Sequence, residues 1–209
     1  MILLMSENAL ITLETWLARH ADTQMFERGA RLFAAGDTPA RLYWVERGEL
    51  QLVRHGAQGE RIVVQRCTRG ALAEASLFSP AYHCEGVAAV ETRAWVMPLA
   101  AFLDGLADAG IGRAFIRWQA SVIRSLRGQC ERLSLPRAED RVLHYLHEHG
   151  RYASETGSLK HWAGALGMTH EHLYRTLAKL ERAGRIRRDA HAVSPVGMRR
   201  PGRVKCQAC

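Results

Sequence analysis

Between Ser158 and Arg188 the chain reads SLKHWAGALGMTHEHLYRTLAKLERAGRIRR, and few local structures suit that run. Apolar Leu159, Trp162, Ala163 and Leu166 recur at helical spacing, and Gly167 closes that helix. Thr169 stands where a helix N-cap is wanted, ahead of Leu173, Leu177 and Leu180 on one face. The pattern predicts two helices around a tight turn, a helix-turn-helix. On the second helix Glu171 and Arg175 lie four apart and share a face, with His170, His172, Tyr174 and Lys179 on the outside of the same segment. Such a face suits a DNA major groove. The same residues also describe a surface Glu–Arg pair on an ordinary amphipathic helix.

Charge follows the motif. Residues 1–136 hold 15 Lys and Arg against 14 Asp and Glu, whereas residues 137–209 hold 14 against 7, so nearly all of the net charge of +8 accompanies the paired helices. Attraction to phosphate needs that placement, although basicity alone gives only salt-sensitive binding without sequence preference. A hydrophobic content of 47% and a charged content of 24% are those of a globular protein, and 209 residues suffice for two small domains. No membrane-spanning run is present. The apolar start, MILLMSENALITLETWL, carries Glu7 and Glu14 without a basic leader or cleavage site, so a cytoplasmic location is expected. Five cysteines, at 67, 84, 130, 206 and 209, form no secreted scaffold and are expected as thiols.

The remaining chain divides by periodicity. Residues 6–20 predict a helix with Leu10, Leu13, Trp16 and Leu17 as its apolar stripe. From Arg28 to Pro98 short β-like runs alternate with Gly29, Gly36, Gly48, Gly59, Gly70 and Gly86, which predicts an antiparallel β-barrel or jelly roll. A long helix comes after Gly110, with Phe115, Val122, Leu126 and Leu133 near a three-four spacing and Gln119 and Gln129 in the same row. That row reads either as a dimer seam or as the side of a helix packed on its own barrel. Leu135-Pro136 breaks the helix. A helix over 137–149, a loop from Gly150 to Gly157 and a two-stranded wing after Gly184 complete the plan. The reading is α+β: a sensing barrel at 1–109, a dimerisation helix at 110–135, a winged helix-turn-helix at 136–194 and a flexible basic tail at 195–209.

The stretches GDTPARLYWVERGELQLVR at 36–54, EASLFSPAYHCEGVAAV at 74–90 and LGMTHEHLYRTLAKLERAGRIRR at 166–188 carry a further signal. With the long helix between them they resemble the cyclic-AMP receptor protein and fumarate-nitrate regulator (Crp/Fnr) family of bacterial transcription factors. The resemblance spans nearly the whole chain. It implies a homodimer that binds a palindromic operator in double-stranded DNA in response to a signal sensed by a cyclic nucleotide-binding-like barrel. It implies no enzyme activity; RNA polymerase is the further partner that activation would require. Glu171 and Arg175 match the family's base-reading pair, and His170 and Tyr174 its variable neighbours. Arginine pairs bidentately with guanine and glutamate accepts from cytosine, which suits those roles independently. Thr169 and Lys179 are expected on phosphates.

By the same resemblance the effector pocket falls at Glu74, Ser76, His83 and Cys84. Glu74 suits a ribose hydroxyl, but where the family places a phosphate-binding arginine this chain has His83-Cys84-Glu85, so the chemistry argues against a cyclic nucleotide. No cysteine precedes Cys67, so the N-terminal iron–sulfur cluster of one family branch is not expected. His83 and Cys84 are candidates for metal, haem or redox sensing; strand alternation alone also gives a buried cysteine beside a solvent-facing histidine. Cys206 and Cys209 have metal-ligand spacing but lack a second pair. A jelly-roll metalloenzyme using His55, His83 and Glu74 is the competing class.

Overall fold

The computed structural model describes residues 2–153 and 158–197, with side chains from residue 8. The chain divides into two compact units, 1–121 and 122–209.

The first unit opens with α1 (Ile2–His20). Leu13 and Leu17 are fully buried and Ala9 nearly so, the one-sided stripe expected of a helix packed against a core. Eight strands come next: β1 (Asp22–Phe26), β2 (Arg31–Phe33), β3 (Arg41–Arg47), β4 (Leu50–His55), β5 (Arg61–Cys67), β6 (Gly70–Leu72), β7 (Glu85–Ala88) and β8 (Thr92–Pro98). They form two antiparallel sheets ordered β1-β8-β3-β6 and β2-β7-β4-β5. Phe33, Tyr43, Val45, Leu50, Leu72 and Val96 meet in the core. The predicted barrel is therefore a two-sheet sandwich of jelly-roll type.

Simple alternation does not describe β3, where Leu42, Tyr43, Trp44 and Val45 are all buried. Tyr43 and Val45 belong to the core cluster, while Trp44 packs on Trp118 with ring centroids 4.9 Å apart. A strand covered on both faces loses the in-out pattern. Trp118 belongs to α3 (Ala109–Ser134), which succeeds α2 (Leu99–Gly105). Asp108 caps α3 by accepting from the backbone N–H of Gly110 and Ile111 at 2.8 and 2.9 Å.

The second unit holds the rest of α3, then α4 (Ala138–His149), β9 (Tyr152–Ala153), α5 (Leu159–Ala165), α6 (His170–Arg182), β10 (Ile186–Arg188) and β11 (Ala192–Pro195). Leu146, Leu166, Leu173 and Leu177 are fully buried in one core, and burial of a leucine contributes about 1.5–3 kcal/mol. The strands form an antiparallel sheet ordered β10-β11-β9. Sequence predicts two strands here, with 150–157 as loop. Tyr152 and Ala153 add the third by pairing with Val193 and Ala192, and Tyr152 lies flat on Trp162 at 4.2 Å. A two-residue strand held by such distant partners has no local signature. Pro195, assigned to the tail, instead closes β11 opposite Ile186. The rest of the tail beyond residue 197, including Cys206 and Cys209, lies outside the described residues. No described helix is long and apolar enough to cross a membrane.

Candidate nucleic-acid interface and effector cleft

In the second unit, each helix of the pair begins on a hydroxyl cap. Ser158 Oγ accepts from His161 N, and Thr169 Oγ1 accepts from His172 N, both at 3.2 Å. Gly167 makes the turn in the left-handed conformation, φ +64°; a Cβ there would lie 2.7 Å from Leu133 Cδ2, so both backbone and space call for glycine. On α6 the residues Leu173, Thr176, Leu177 and Leu180 are buried, which turns Glu171, Arg175 and Lys179 outward, where Glu171 and Arg175 are exposed and Lys179 keeps a largely exposed side chain.

These outward residues differ in their engagement. Among the described residues neither Glu171 nor Arg175 makes an ion pair, so the surface Glu–Arg pair that the spacing allows is not formed. Lys179, by contrast, is bound to Glu139 at the start of α4. Its hydrogen bond holds the Glu139 carboxyl below the usual carboxylate range. Tyr174 stands edge-on to His170, centroids 4.6 Å apart, and the Arg188 guanidinium lies over its ring at 5.9 Å. Sequence reasoning missed both Glu139 and Arg188, whose partners lie on other elements.

In the first unit, the segment after β6 forms a 3₁₀ turn, Glu74–Ser76, entered through Ala73 at φ 57°. Gln65 of β5 donates from Nε2 to Glu74 Oε2 at 2.8 Å and accepts from Ala73 N at 3.3 Å. Ser76 is buried. His83 is exposed whereas Cys84 is buried, both in the bend that leads into β7 rather than in a strand. Beyond them, Phe33 and Tyr82 stack at 3.7 Å, with Phe33 Cε1 2.5 Å from where a Cβ on Gly86 would lie. Burial pushes the Tyr82 hydroxyl to about 12 and, with Glu74 adding to it, the Cys67 thiol also to about 12.

A guanidinium does reach this wall, contrary to the expectation from sequence: Arg54 on the neighbouring strand β4 places Nη2 3.9 Å from Cys84 Sγ. The cysteine's neighbours in sequence give no sign of it, because the contact crosses the β4–β7 pairing. Among the described residues no three His, Cys, Asp or Glu side chains gather as a metal site. The facial set of His55, His83 and Glu74 required by a metalloenzyme is therefore not assembled.

Residues 23–108 match the cyclic nucleotide-binding domain. The chain is similar in structure to the c-di-GMP responsive global regulator CLP of Xanthomonas campestris, at 18% identity over 90% of this chain and 99% of that one, TM-score 0.58. It is likewise similar to FixK2 of Bradyrhizobium japonicum, at 17% identity over 84% and 92%, TM-score 0.62. A CRP-family transcriptional regulator of Thermus thermophilus gives 21% over 82% and 91%, TM-score 0.54. No curated protein matches the sequence. The chain shares its fold with these three proteins, and its first unit contains the segment that matches the cyclic nucleotide-binding domain.

A cyclic nucleotide is the ligand this domain family implies, and the residues present do not fit it as they stand. Glu74, which the family resemblance assigns to a ribose hydroxyl, and the neighbouring Ala73 amide are both engaged by Gln65. The position of the family's arginine is occupied by a buried thiol.

Proposed function

We propose that this chain is a homodimeric, sequence-specific DNA-binding transcription regulator of the Crp/Fnr type, reading a palindromic operator through α6 of a winged helix-turn-helix domain. The observation that carries this reading is the outward face of α6, where Glu171 and Arg175 stand exposed beside one another without an ion pair among the described residues. Arg175 reads guanine O6 and N7, and Glu171 accepts from cytosine N4. Thr169 keeps its hydroxyl hydrogen for a phosphate while its oxygen caps the helix. His170 and Tyr174 tune the flanking base pairs. The effector is not cyclic AMP.

A dimer is supported by the surface of α3. Ile116, Ile123 and Cys130 are seven apart, as are Gln119, Leu126 and Leu133, and together they form an a/d heptad seam. Ile116 is 65% exposed, Ile123 49% and Leu126 53%. Gln119, Leu126 and Leu133 belong also to the row predicted from spacing. Phe115 is buried against Phe102 and Trp118, so Ile116, Ile123 and Cys130 take the places expected for Phe115, Val122 and Gln129.

Operator fragments selected from genomic DNA test the reading by mobility shift. Arg175→Ala is expected to lose about 1–3 kcal/mol of discrimination against the wrong base while retaining most binding to random DNA. Equal loss on selected and random fragments would remove Arg175 from base reading.

A further inference from the structure

The segment after β6, where the family resemblance places the effector pocket, meets a side chain that behaves as a ligand. Gln65 faces Leu52 in the β4–β5 pairing, and Leu52 packs against the sandwich core, so alternation turns Gln65 to that inner side. A glutamine there must find partners. Its amide nitrogen donates to the Glu74 carboxylate and its amide oxygen accepts from the backbone N–H of Ala73. One planar group thus joins a carboxylate to a backbone amide, the pair of contacts that a diffusible effector with a hydroxyl and an anionic oxygen would otherwise make.

We propose that Gln65 is a tethered occupant of the effector cleft, completing its polar wall without a small molecule. A free effector must exchange bond for bond with the amide, and such exchanges return little net free energy. The amide is also attached to β5, so its effective concentration exceeds that of a ligand in solution. This rests on reading the barrel as the effector domain and is independent of how α6 reads DNA.

The test uses the full chain, 3′,5′-cyclic AMP as probe, and thermal unfolding with titration calorimetry. The parent protein is expected to show neither heat of binding nor a shifted midpoint. Gln65→Ala frees Glu74 and the Ala73 amide, with the Arg54 guanidinium near Cys84 available to the phosphate; cyclic AMP at millimolar concentration then raises its midpoint by roughly 2–4 °C. Gln65→Glu reads the contact directly, even where the alanine variant loses its fold. A second carboxylate beside Glu74 lowers the midpoint at pH 7, and acidification towards about pH 4.5 restores it as one carboxyl takes a proton. A parent protein that binds cyclic AMP, an alanine variant that stays unresponsive, or a glutamate variant as stable as the parent at pH 7 would each overturn the proposal. None of these readouts involves DNA, so they stand or fall apart from the operator experiment.

Discussion

Arg175 and Lys179 are four residues apart on α6, yet in the proposed DNA reading they begin from different starting points. Arg175 has no ion-pair partner among the described residues to give up, whereas Lys179 must leave Glu139 to reach a phosphate. Glu139 therefore acts as a resident anion, and its lowered carboxyl range arises first from the hydrogen bond donated by Lys179. Glu139→Gln removes the charge and keeps the shape. Its expected effect is several-fold tighter binding to random DNA, with the slope of log affinity against log salt steeper by up to about 0.9, the value for one added phosphate contact. Preference among operators should be unchanged, because phosphate contacts carry no sequence information. An unaltered salt slope would mean that Lys179 does not reach the backbone.

At the scale of elements, helix starts decide much of the geometry. The Asp108 carboxylate accepts two backbone N–H groups at the head of α3, and these bonds, Ile111 first, hold its carboxyl below the ordinary range. A carboxyl lowered in the folded state stabilises the fold above its unfolded pKa, and that contribution is lost as pH falls through the folded value. Asp108→Asn keeps an N-cap acceptor without the titration. The variant is therefore expected to lose less thermal stability than the parent as pH falls below about 4, the ordinary range for aspartate. Parallel acid titration curves would sink that account. The caps Ser158 and Thr169 also satisfy backbone N–H groups at helix starts, and Thr169 was legible from sequence because an N-cap is a local signal between neighbours in the chain.

For the whole molecule, the question of assembly falls on α3. Ile123→Glu puts a charge into the proposed a/d seam at a site that is already half exposed in the single chain. Sedimentation is expected to show a monomer with an unchanged circular dichroism spectrum; a persisting dimer would place the interface elsewhere. How far the fold could be read beforehand depended on range. The glycine-punctuated strands and the paired helices announced themselves through spacing. The seam register did not, because Phe115 is as apolar as its neighbours and only packing on Phe102 and Trp118 shows that it faces inward. Gln65 was missed since a glutamine beside Arg66 in RIVVQRC reads as solvent-facing until the pairing with Leu52 is known. Arg54 was missed for a like reason, its partner Cys84 lying 30 positions away, just ahead of β7.

The stacking of Tyr152 on Trp162 has an optical consequence. Of the five tryptophans, Trp16, Trp44, Trp95 and Trp118 lie in residues 1–121 and Trp162 alone in residues 122–209. Trp162 is 2% exposed with a phenol ring parallel to its indole, so its emission reports one environment in the second unit. Subtracting the spectrum of a Trp162→Phe chain isolates that signal, and the remaining four indoles become a private lamp for the sandwich.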